Sequence, residues 1–295
     1  MKNGILLALL AYAVYAWGDG LIKSLGGSLT IFEIGFLNIL FSGLFLLLVK
    51  PAGEDWSNFW RMRNPLKVHA RAALGMAAGI FSVYAFTSIP LAEVYALLFL
   101  SPLFVTLLSI AVLKEQVGIW RWLAVFAGFA GVLMVVRPGV RVLELGHLSA
   151  IGAALCAALS IVLMRSIAGE RQTAVLGMLV AYGLAFNAGA AAVTTFSMPS
   201  WPLLCVLLLS GACTAAGNRL QFLATRHSPA NHIAPTHYSQ MIWAVLIGAM
   251  FFDEYPDALS ILGLLAIAAA GLLTLFREQA RLGYIRWYRL TRGRL

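Results

Sequence analysis

A stripe of polar and aromatic residues in the last third of the chain is the first candidate for ligand chemistry. Its members share one face of a helix, because they are spaced by four, four and three residues: His232, Thr236, Gln240 and Trp243. His237 and Tyr238 lie beside this stripe. The stripe either lines a cavity with mixed polar and aromatic walls, which would suit a zwitterion with an apolar side chain, or packs as a polar seam against neighbouring helices.

A second group of candidates lies in the preceding apolar block. Asn218, Gln221 and Phe222 share a face there at helical spacing. Arg219 is an arginine far from any loop, and polar groups inside an apolar span are functional candidates by default. Its guanidinium would either take a substrate carboxylate with two hydrogen bonds or extend towards the inner surface beside Arg226.

Other candidates are aromatic or acidic. Rings near the middle of a block can stack on an aromatic or cationic substrate, and those predicted here are Tyr84, Phe99 and Trp243. The first block carries Tyr12, Tyr15, Trp17 and Asp19. Asp19 either pairs with Lys23 four residues later or meets a substrate ammonium group. Asp19, Glu33 and Glu93 are all near block ends, so we expect hydrated carboxylates that could serve as charge partners.

The elements that must position these residues follow from the composition. Of 295 residues, 61% are hydrophobic and 11% are charged, against about 45–50% and about 25% in ordinary globular chains. This excludes a cytosolic enzyme, a disordered chain and a disulfide-rich secreted scaffold. The net charge of +9 forms no groove-binding basic patch, so nucleic acid is not an expected partner.

Ten apolar blocks of about a membrane thickness are the predicted helices. They are Gly4–Ile22, Ile31–Val49, Ala72–Ile89, Leu91–Leu113, Trp120–Val136, Leu148–Ile167, Thr173–Thr195, Leu203–Leu223, Ala230–Phe252 and Ala258–Phe276. If both termini are cytoplasmic, nearly all Lys and Arg residues fall inside, with only Lys23, Arg137 and Arg141 outside and Arg219 within a span. The positive-inside rule therefore predicts this orientation, in a bacterial-type inner membrane.

The chain also repeats at an offset of 139 residues. Pro90 matches Pro229 and Glu115 matches Glu254; each proline begins a block and each glutamate ends one, so we expect structural roles for all four. On this alignment the stripe corresponds to positions 93, 97, 101 and 104, which adds Ser101 and Glu93 to the candidates.

Because each half holds five spans, the second half enters the membrane from the opposite side. Inverted repeats are typical of secondary transporters, which bind substrate near the midplane between the halves. The predicted fold is an all-α membrane protein of ten transmembrane helices in two inverted five-helix repeats. Residues 1–139 hold spans 1–5, residues 140–276 hold spans 6–10, and residues 277–295 form a basic cytoplasmic tail.

The sequence resembles the drug/metabolite transporter superfamily, in its ten-span branch of two EamA-type repeats. The residues that carry the resemblance are Tyr84–Glu93 (YAFTSIPLAE), Leu100–Phe104 (LSPLF), Lys114–Gln116 (KEQ) and Gly128–Met134 (GFAGVLM). The chain departs from the pattern at Met241, where a proline would match Pro102, and at Asn38, where relatives often carry Arg. The resemblance implies transport of small metabolites, usually export, with the aromatic amino-acid exporters as the favoured subgroup.

We therefore expect a carrier that exports small metabolites, above all aromatic or hydrophobic amino acids, by alternating access through a central cavity. It would act as a monomer or weak homodimer in the lipid bilayer. One alternative is an exporter of cationic drugs or nucleotide-type metabolites; another, of a different class, is a membrane-embedded enzyme or lipid flippase. The sequence has no P-loop, H-E-x-x-H or G-x-S-x-G motif, so we expect no enzyme activity, cofactor, metal or catalytic residue.

Overall fold

The computed structural model describes residues 2–48, 56–113, 118–140, 142–167, 169–194, 196–228 and 233–273. Within these ranges all regular structure is helical and there is no β-strand. The α-helices are α1 Lys2–Ser24, α2 Ile31–Leu48, α3 Pro65–Ser88, α4 Leu91–Leu98, α5 Ser101–Leu113, α6 Ile119–Val136, α7 Leu145–Ser166, α8 Gln172–Val193, α9 Trp201–His227, α10 Ser239–Phe251 and α11 Ala258–Leu273. Two short 3₁₀ helices are η1 (Trp56–Asn58) and η2 (Ala234–Tyr238). The predicted roles of Glu115, Pro229, His232 and the tail 277–295 lie outside the described residues.

The lengths and compositions of the helices suit a membrane. In the described part of the chain, six helical stretches are long and apolar enough to cross a bilayer, and three further apolar helices are shorter. Many large apolar side chains are exposed, such as Leu66, Val193 and Trp201 at more than four-fifths of their surface. An apolar exterior on this scale is stable against lipid and not against water. The chain is thus an all-helical integral membrane protein.

The predicted fourth span is not one continuous helix, because α4 ends at Leu98 and α5 begins at Ser101. Pro102 has no N–H to donate to the carbonyl of Leu98, and proline disfavours helical geometry in the residue before it. The predicted ninth span is interrupted at the equivalent place: η2, which contains Pro235, gives way to α10 at Ser239. Both breaks lie where the two candidate stripes run.

The helices pack in pairs that share the 139-residue offset. α1 packs along α9, and α3 packs along α7; α2 and α8 contact each other, and so do α4 and α10. Adding the offset of 139 residues to α1 gives α7, and adding it to α3 gives α9, so the α1–α9 pair and the α3–α7 pair are counterparts. Adding it to α2 gives α8, so the α2–α8 pair is its own counterpart. Small residues allow the closest approaches: a Cβ at Gly131 would lie 2.6 Å from the Gly263 carbonyl oxygen, where α6 crosses α11.

The core is concentrated at the predicted outer end of the bundle. One large cluster joins residues from both halves there, including Leu25, Ile34, Leu91, Leu207 and Ile247. Towards the other end the buried residues divide into two separate clusters. One groups Val68, Ala72, Ile167, Val175 and Met178, and the other groups Ala8, Ala224 and Ile233. Among the residues that the structure describes, a single cluster thus spans both halves at the predicted outer end, and two smaller clusters lie towards the other end.

Candidate functional site

A cavity of about 750 Å³ lies among the helices that carry the two breaks, and we call it the main cavity. Its walls come from α1, α3, α4, α5, α6, α7, α10 and α11, together with η2. Six of the sequence-predicted residues line it: Asp19, Phe99, Ser101, His237, Tyr238 and Gln240. A volume of this size falls in the range of small-molecule sites.

Three rings are in contact where the two broken helices meet. The rings of Phe99 and Tyr238 lie 4.9 Å apart and nearly parallel, and the Phe99 ring is 4.8 Å from that of His237. His237 stacks in turn on Tyr12, at 4.7 Å. Positions 99 and 238 differ by the repeat offset, so equivalent residues of the two halves meet face to face. Both rings lie at helix breaks: Phe99 follows the end of α4, and Tyr238 is the last residue of η2.

Asp19 places a carboxylate on the wall of the main cavity. The Tyr95 hydroxyl of α4 donates a hydrogen bond to its Oδ2, which fixes the carboxylate against the first broken helix. The suggested pairing of Asp19 with Lys23 is wrong, because the Lys23 ammonium lies 2.7 Å from Glu254 Oε1 instead. Tyr95 was not among the predicted residues, although its spacing of two from Glu93 and four from Phe99 was visible in the sequence.

A line of hydrogen bonds joins α1 to α9. Tyr12, Tyr15 and Asp19 share one face of α1. The Tyr15 hydroxyl donates to Asn218 Oδ1 at 2.7 Å, and Gln221 Nε2 donates to the Tyr12 hydroxyl at 3.0 Å. Gln221 is thus tied to the ring stack through Tyr12, while Asn218 faces a different cavity. Gln221 Oε1 is buried and has no hydrogen-bond partner in the described part of the structure.

That second cavity has a volume of about 330 Å³ and lies between α2, α3, α8 and α9. Asn218 and Arg219 line it, and so do Asn38 and Phe222. We call it the Arg219 cavity. Of the residues predicted on the eighth span, Asn218 and Gln221 thus both bond to tyrosines of α1, Asn218 and Arg219 line this second cavity, and none of the three lines the main cavity.

Three predicted aromatic residues lie outside both cavities as the structure describes them. Trp17 is 41% exposed and meets the Phe251 ring edge-on at 5.6 Å. Trp243 packs against the outer hydrophobic cluster, and Tyr84 is half-buried on α3. A side chain can share a helix face with lining residues and still end beside a neighbouring helix, which spacing alone does not reveal.

Two predicted hydrated carboxylates are in fact buried, so that expectation is wrong. Glu93 lies 2.8 Å from His147 Nε2, and both residues are buried. The other ring nitrogen of His147 bonds the Glu144 backbone, in a reciprocal cap of α7. Glu33 accepts hydrogen bonds from Thr30 and from the Ser197 backbone. His147 was missed because nothing in its local sequence marks it as the partner of a residue 54 positions away.

Glu254 joins the two halves at the predicted outer end. Its Oε2 accepts a hydrogen bond of 2.9 Å from the Leu91 N–H, the first turn of α4, and its Oε1 pairs with Lys23. Lys23 also donates to the Ile89 carbonyl at 2.8 Å. Pro90 is the N-terminal cap residue of α4, between these contacts. A carboxylate at a helix N-terminus satisfies free N–H groups and complements the helix dipole.

Comparisons with known proteins agree with this architecture. The profile of the EamA-like transporter family matches the chain twice, over residues 2–137 and 144–276. A solved crystal structure superposes with a TM-score of 0.63 at 18% identity, covering 93% of this chain and 96% of that one, which is a likeness of fold.

Several curated relatives match nearly end to end. The riboflavin transporter of Rhizobium johnstonii is 29% identical, over 86% of this chain and 82% of its own length. The pseudopaline exporter CntI of Pseudomonas aeruginosa is 28% identical, over 92% and 95%. The S-adenosylmethionine uptake transporter of Rickettsia prowazekii is 28% identical, over 94% of both chains.

Proposed function

The chain belongs to the EamA-like transporter family, and from this membership we propose that it is a ten-span secondary transporter that exports aromatic or hydrophobic amino acids. Its family consists of transporters, not enzymes, so the membrane-enzyme alternative has no support. The proposed location is the inner membrane of a bacterial-type cell with both termini in the cytoplasm, as a monomer or weak homodimer.

The observation that carries the substrate proposal is the composition of the main cavity. Stacked rings at Phe99, His237 and Tyr238 offer an aromatic platform, and Asp19 lies in the same cavity. An α-amino acid with an aromatic side chain carries a ring for the platform and an ammonium group for the carboxylate. Gln240 and Ser101 add groups that can bond a substrate carboxylate.

The ten-span arrangement is supported by the way the helices correspond. α4 with α5, and η2 with α10, each serve as one interrupted span, and the other eight helices serve as one span each. The proposed halves are residues 1–139 and 140–276, before a basic tail at 277–295. The same offset relates Phe99 to Tyr238, whose rings are in contact, and this supports a pseudo-two-fold axis that passes near the two rings. Inverted repeats of this kind bind substrate beside that axis.

Alternating access is supported by the uneven core. The outer end is held by one cluster and by the Lys23–Glu254 pair, whereas the other end has two clusters. This is the distribution expected for a carrier closed to the outside. Opening to the outside would require the Glu254 contacts to break, with the turn at Pro90 as a pivot.

Counterflow in proteoliposomes tests the transport proposal. Purified protein is reconstituted with unlabelled amino acid inside and labelled Phe, Trp or Thr outside. We expect labelled Phe and Trp to accumulate well above empty liposomes and Thr to accumulate less. If no amino acid exceeds the empty-liposome level, the substrate proposal is wrong, while the family assignment stands.

A second candidate function is export of cationic or nucleotide-type metabolites. Asp19 in the cavity wall favours a cation, and two relatives are named for riboflavin and S-adenosylmethionine, both of which contain fused aromatic rings. The same liposomes loaded with S-adenosylmethionine or riboflavin decide between the candidates. Counterflow of either compound without counterflow of Phe or Trp would favour this second function.

A further inference from the structure

We propose that the Arg219 cavity is a second binding site, distinct from the main cavity, for an amphiphile with one anionic group. The anionic group is a carboxylate or a phosphate, and the body of the ligand is apolar. The proposal goes beyond the transport function, because it concerns a cavity that the main-cavity residues do not line. It rests on the charge, the walls and the empty space of this cavity.

The charge of the cavity lining is positive, as far as the structure describes it. Its lining contains Arg219 and no acidic residue. In the described part of the chain, no carboxylate lies within 4.0 Å of the Arg219 guanidinium. The Arg219 side chain is exposed within this cavity, where its guanidinium can take a carboxylate or a phosphate of a ligand as its partner.

Further basic groups lie along the approach from the predicted cytoplasmic end. Arg219, Phe222 and Arg226 share one face of α9, and the Arg226 guanidinium lies over the Phe222 ring at 4.8 Å from its centre. On α3, Arg71 precedes Gly75 and Gly79 on the same face by one and two turns. Arg71 Nε is buried and has no hydrogen-bond partner among the residues described. Arg71 and Arg226 thus add positive charge on the predicted cytoplasmic side of Arg219, which favours the approach of anions.

The neutral polar groups of the cavity leave donors available. Asn218 uses Oδ1 to accept from Tyr15, which leaves its Nδ2 hydrogens for a ligand. Asn38 Nδ2 donates to Ser210 Oγ at 2.8 Å, and Thr214 donates to the Ser210 carbonyl. Arg219 and the Asn218 amide are adjacent in the sequence and lie in the same lining. Together they can donate to two oxygens of one carboxylate or phosphate.

The remaining walls are apolar, and they leave room for a hydrocarbon or a ring. They consist mainly of Ile39, Phe45, Leu46, Met76, Leu179 and Val180. Gly79 creates part of the space, because a Cβ built there meets no atom within 4 Å. The Cβ of a Gly79→Leu substitution would therefore meet no neighbour, and its longer side chain would take up part of the cavity. Gly189 on α8 also has open space around it and lies outside both cavities, so Gly189→Leu is the matched control.

The test measures binding to the purified full chain in detergent, through the rise in its melting temperature as a probe is titrated. The probes are dioleoylphosphatidylglycerol, dioleoylphosphatidylcholine and N-acetyltryptophan, a soluble carboxylate without an ammonium group. We expect stabilisation by phosphatidylglycerol or by N-acetyltryptophan and none by phosphatidylcholine. Binding of phosphatidylglycerol would identify a membrane lipid as the ligand, and binding of N-acetyltryptophan would identify a soluble carboxylate.

The variants give the decisive comparison. We expect Arg219→Gln to weaken binding of the anionic probe about tenfold or more, because a charge-assisted contact is lost. Arg219→Lys should retain part of the affinity, Gly79→Leu should abolish binding, and Gly189→Leu should bind as the wild type does. The proposal is overturned if neither anionic probe stabilises the protein more than phosphatidylcholine does, or if Arg219→Gln and Gly79→Leu both bind like the wild type. Counterflow is not used here, so failure of this site and failure of the transport function are distinguishable.

Discussion

At the scale of single residues, Asp19 determines the charge of the main cavity. Among the lining residues that the structure describes it is the only acid, and its hydrogen bond from Tyr95 holds it towards the first broken helix. A substrate ammonium group would replace or share that hydrogen bond. Asp19 therefore links substrate recognition to the position of α4.

Asp19→Asn should remove the charge and keep the shape. We expect the rate of counterflow for an amino acid or a cation to fall about tenfold or more, since a charge-assisted hydrogen bond becomes a neutral one. Trp17→Phe is the control, because Trp17 is on the same helix but outside both cavities. Wild-type flux in Asp19→Asn, with normal amounts of folded protein, would remove Asp19 from the site.

Glu170 provides a pH-dependent contact in the loop between α7 and α8. Burial alone would raise the pKa of its carboxyl, but hydrogen bonds from the Arg63 and Asn64 backbone N–H groups outweigh this and lower the pKa below its usual 4.5. Because the folded-state pKa is the lower one, the carboxylate stabilises the protein at neutral pH, and the contribution disappears as the pH falls through that pKa.

We therefore expect Glu170→Gln to lower the melting temperature near pH 7, and this effect to shrink as the pH falls through the lowered pKa of the wild-type carboxyl. Thermal unfolding at several pH values in this range measures the difference. An equal loss of stability at every pH would show that the charge of Glu170 contributes nothing.

At the scale of helices, α11 holds η2 in place through a glycine. A Cβ at Gly271 would overlap the phenol of Tyr238, so the ring can reach the Phe99 stack only because this position has no side chain. Both Gly271 and Tyr238 line the main cavity. The packing of α11 thus determines where an aromatic wall of the site lies.

Gly271→Ala should push the Tyr238 ring away and reduce counterflow severalfold, although alanine favours the helix by about 1 kcal/mol over glycine. Gly189→Ala is the matched control, because its added methyl group meets no neighbour and only the helix preference remains. The interpretation fails if Gly271→Ala transports as fast as the control.

At the scale of the whole molecule, the Lys23–Glu254 pair and the outer cluster hold both halves together at one end. Closure there is the condition for a cavity reached from the other side. The balance between the two states of a carrier depends on the contacts that each state makes. Weakening the outer contacts should therefore shift the population towards an outward-open state.

Glu254→Gln tests this shift through cysteine labelling. In a chain whose three native cysteines, Cys156, Cys205 and Cys213, are replaced by serine, Ser101→Cys reports on the main cavity. We expect a membrane-impermeant maleimide added outside to label it severalfold faster with Glu254→Gln. Asp257→Asn is the comparison, because Asp257 pairs with Arg137 in the same region but is exposed. Equal labelling in all backgrounds would contradict outer closure by Glu254.

Much of the fold could be predicted, because the length of an apolar block and the position of a proline determine structure within a single segment. The blocks, the offset and six lining residues of the main cavity followed from composition, spacing and resemblance. The remainder depends on contacts between distant residues. Three such pairs are Glu93–His147, Lys23–Glu254 and Tyr15–Asn218. Residue spacing within one segment does not predict how that segment is oriented towards another. The break at Phe99 was marked by Pro102, but only the tertiary packing shows that the two breaks meet.

The contact between Glu254 and the first turn of α4 can form only late in the synthesis of the chain. The Leu91 N–H emerges 163 residues before the carboxylate that accepts its hydrogen bond. At about 5–20 residues per second, the outer end of α4 therefore waits roughly 8 to 30 s for its partner. During that interval the first half is in the membrane with an unfinished helix terminus, exposed to membrane insertion factors and proteases. Truncated chains that stop before Glu254 should thus be degraded early, whereas the two halves supplied as separate chains could complete each other.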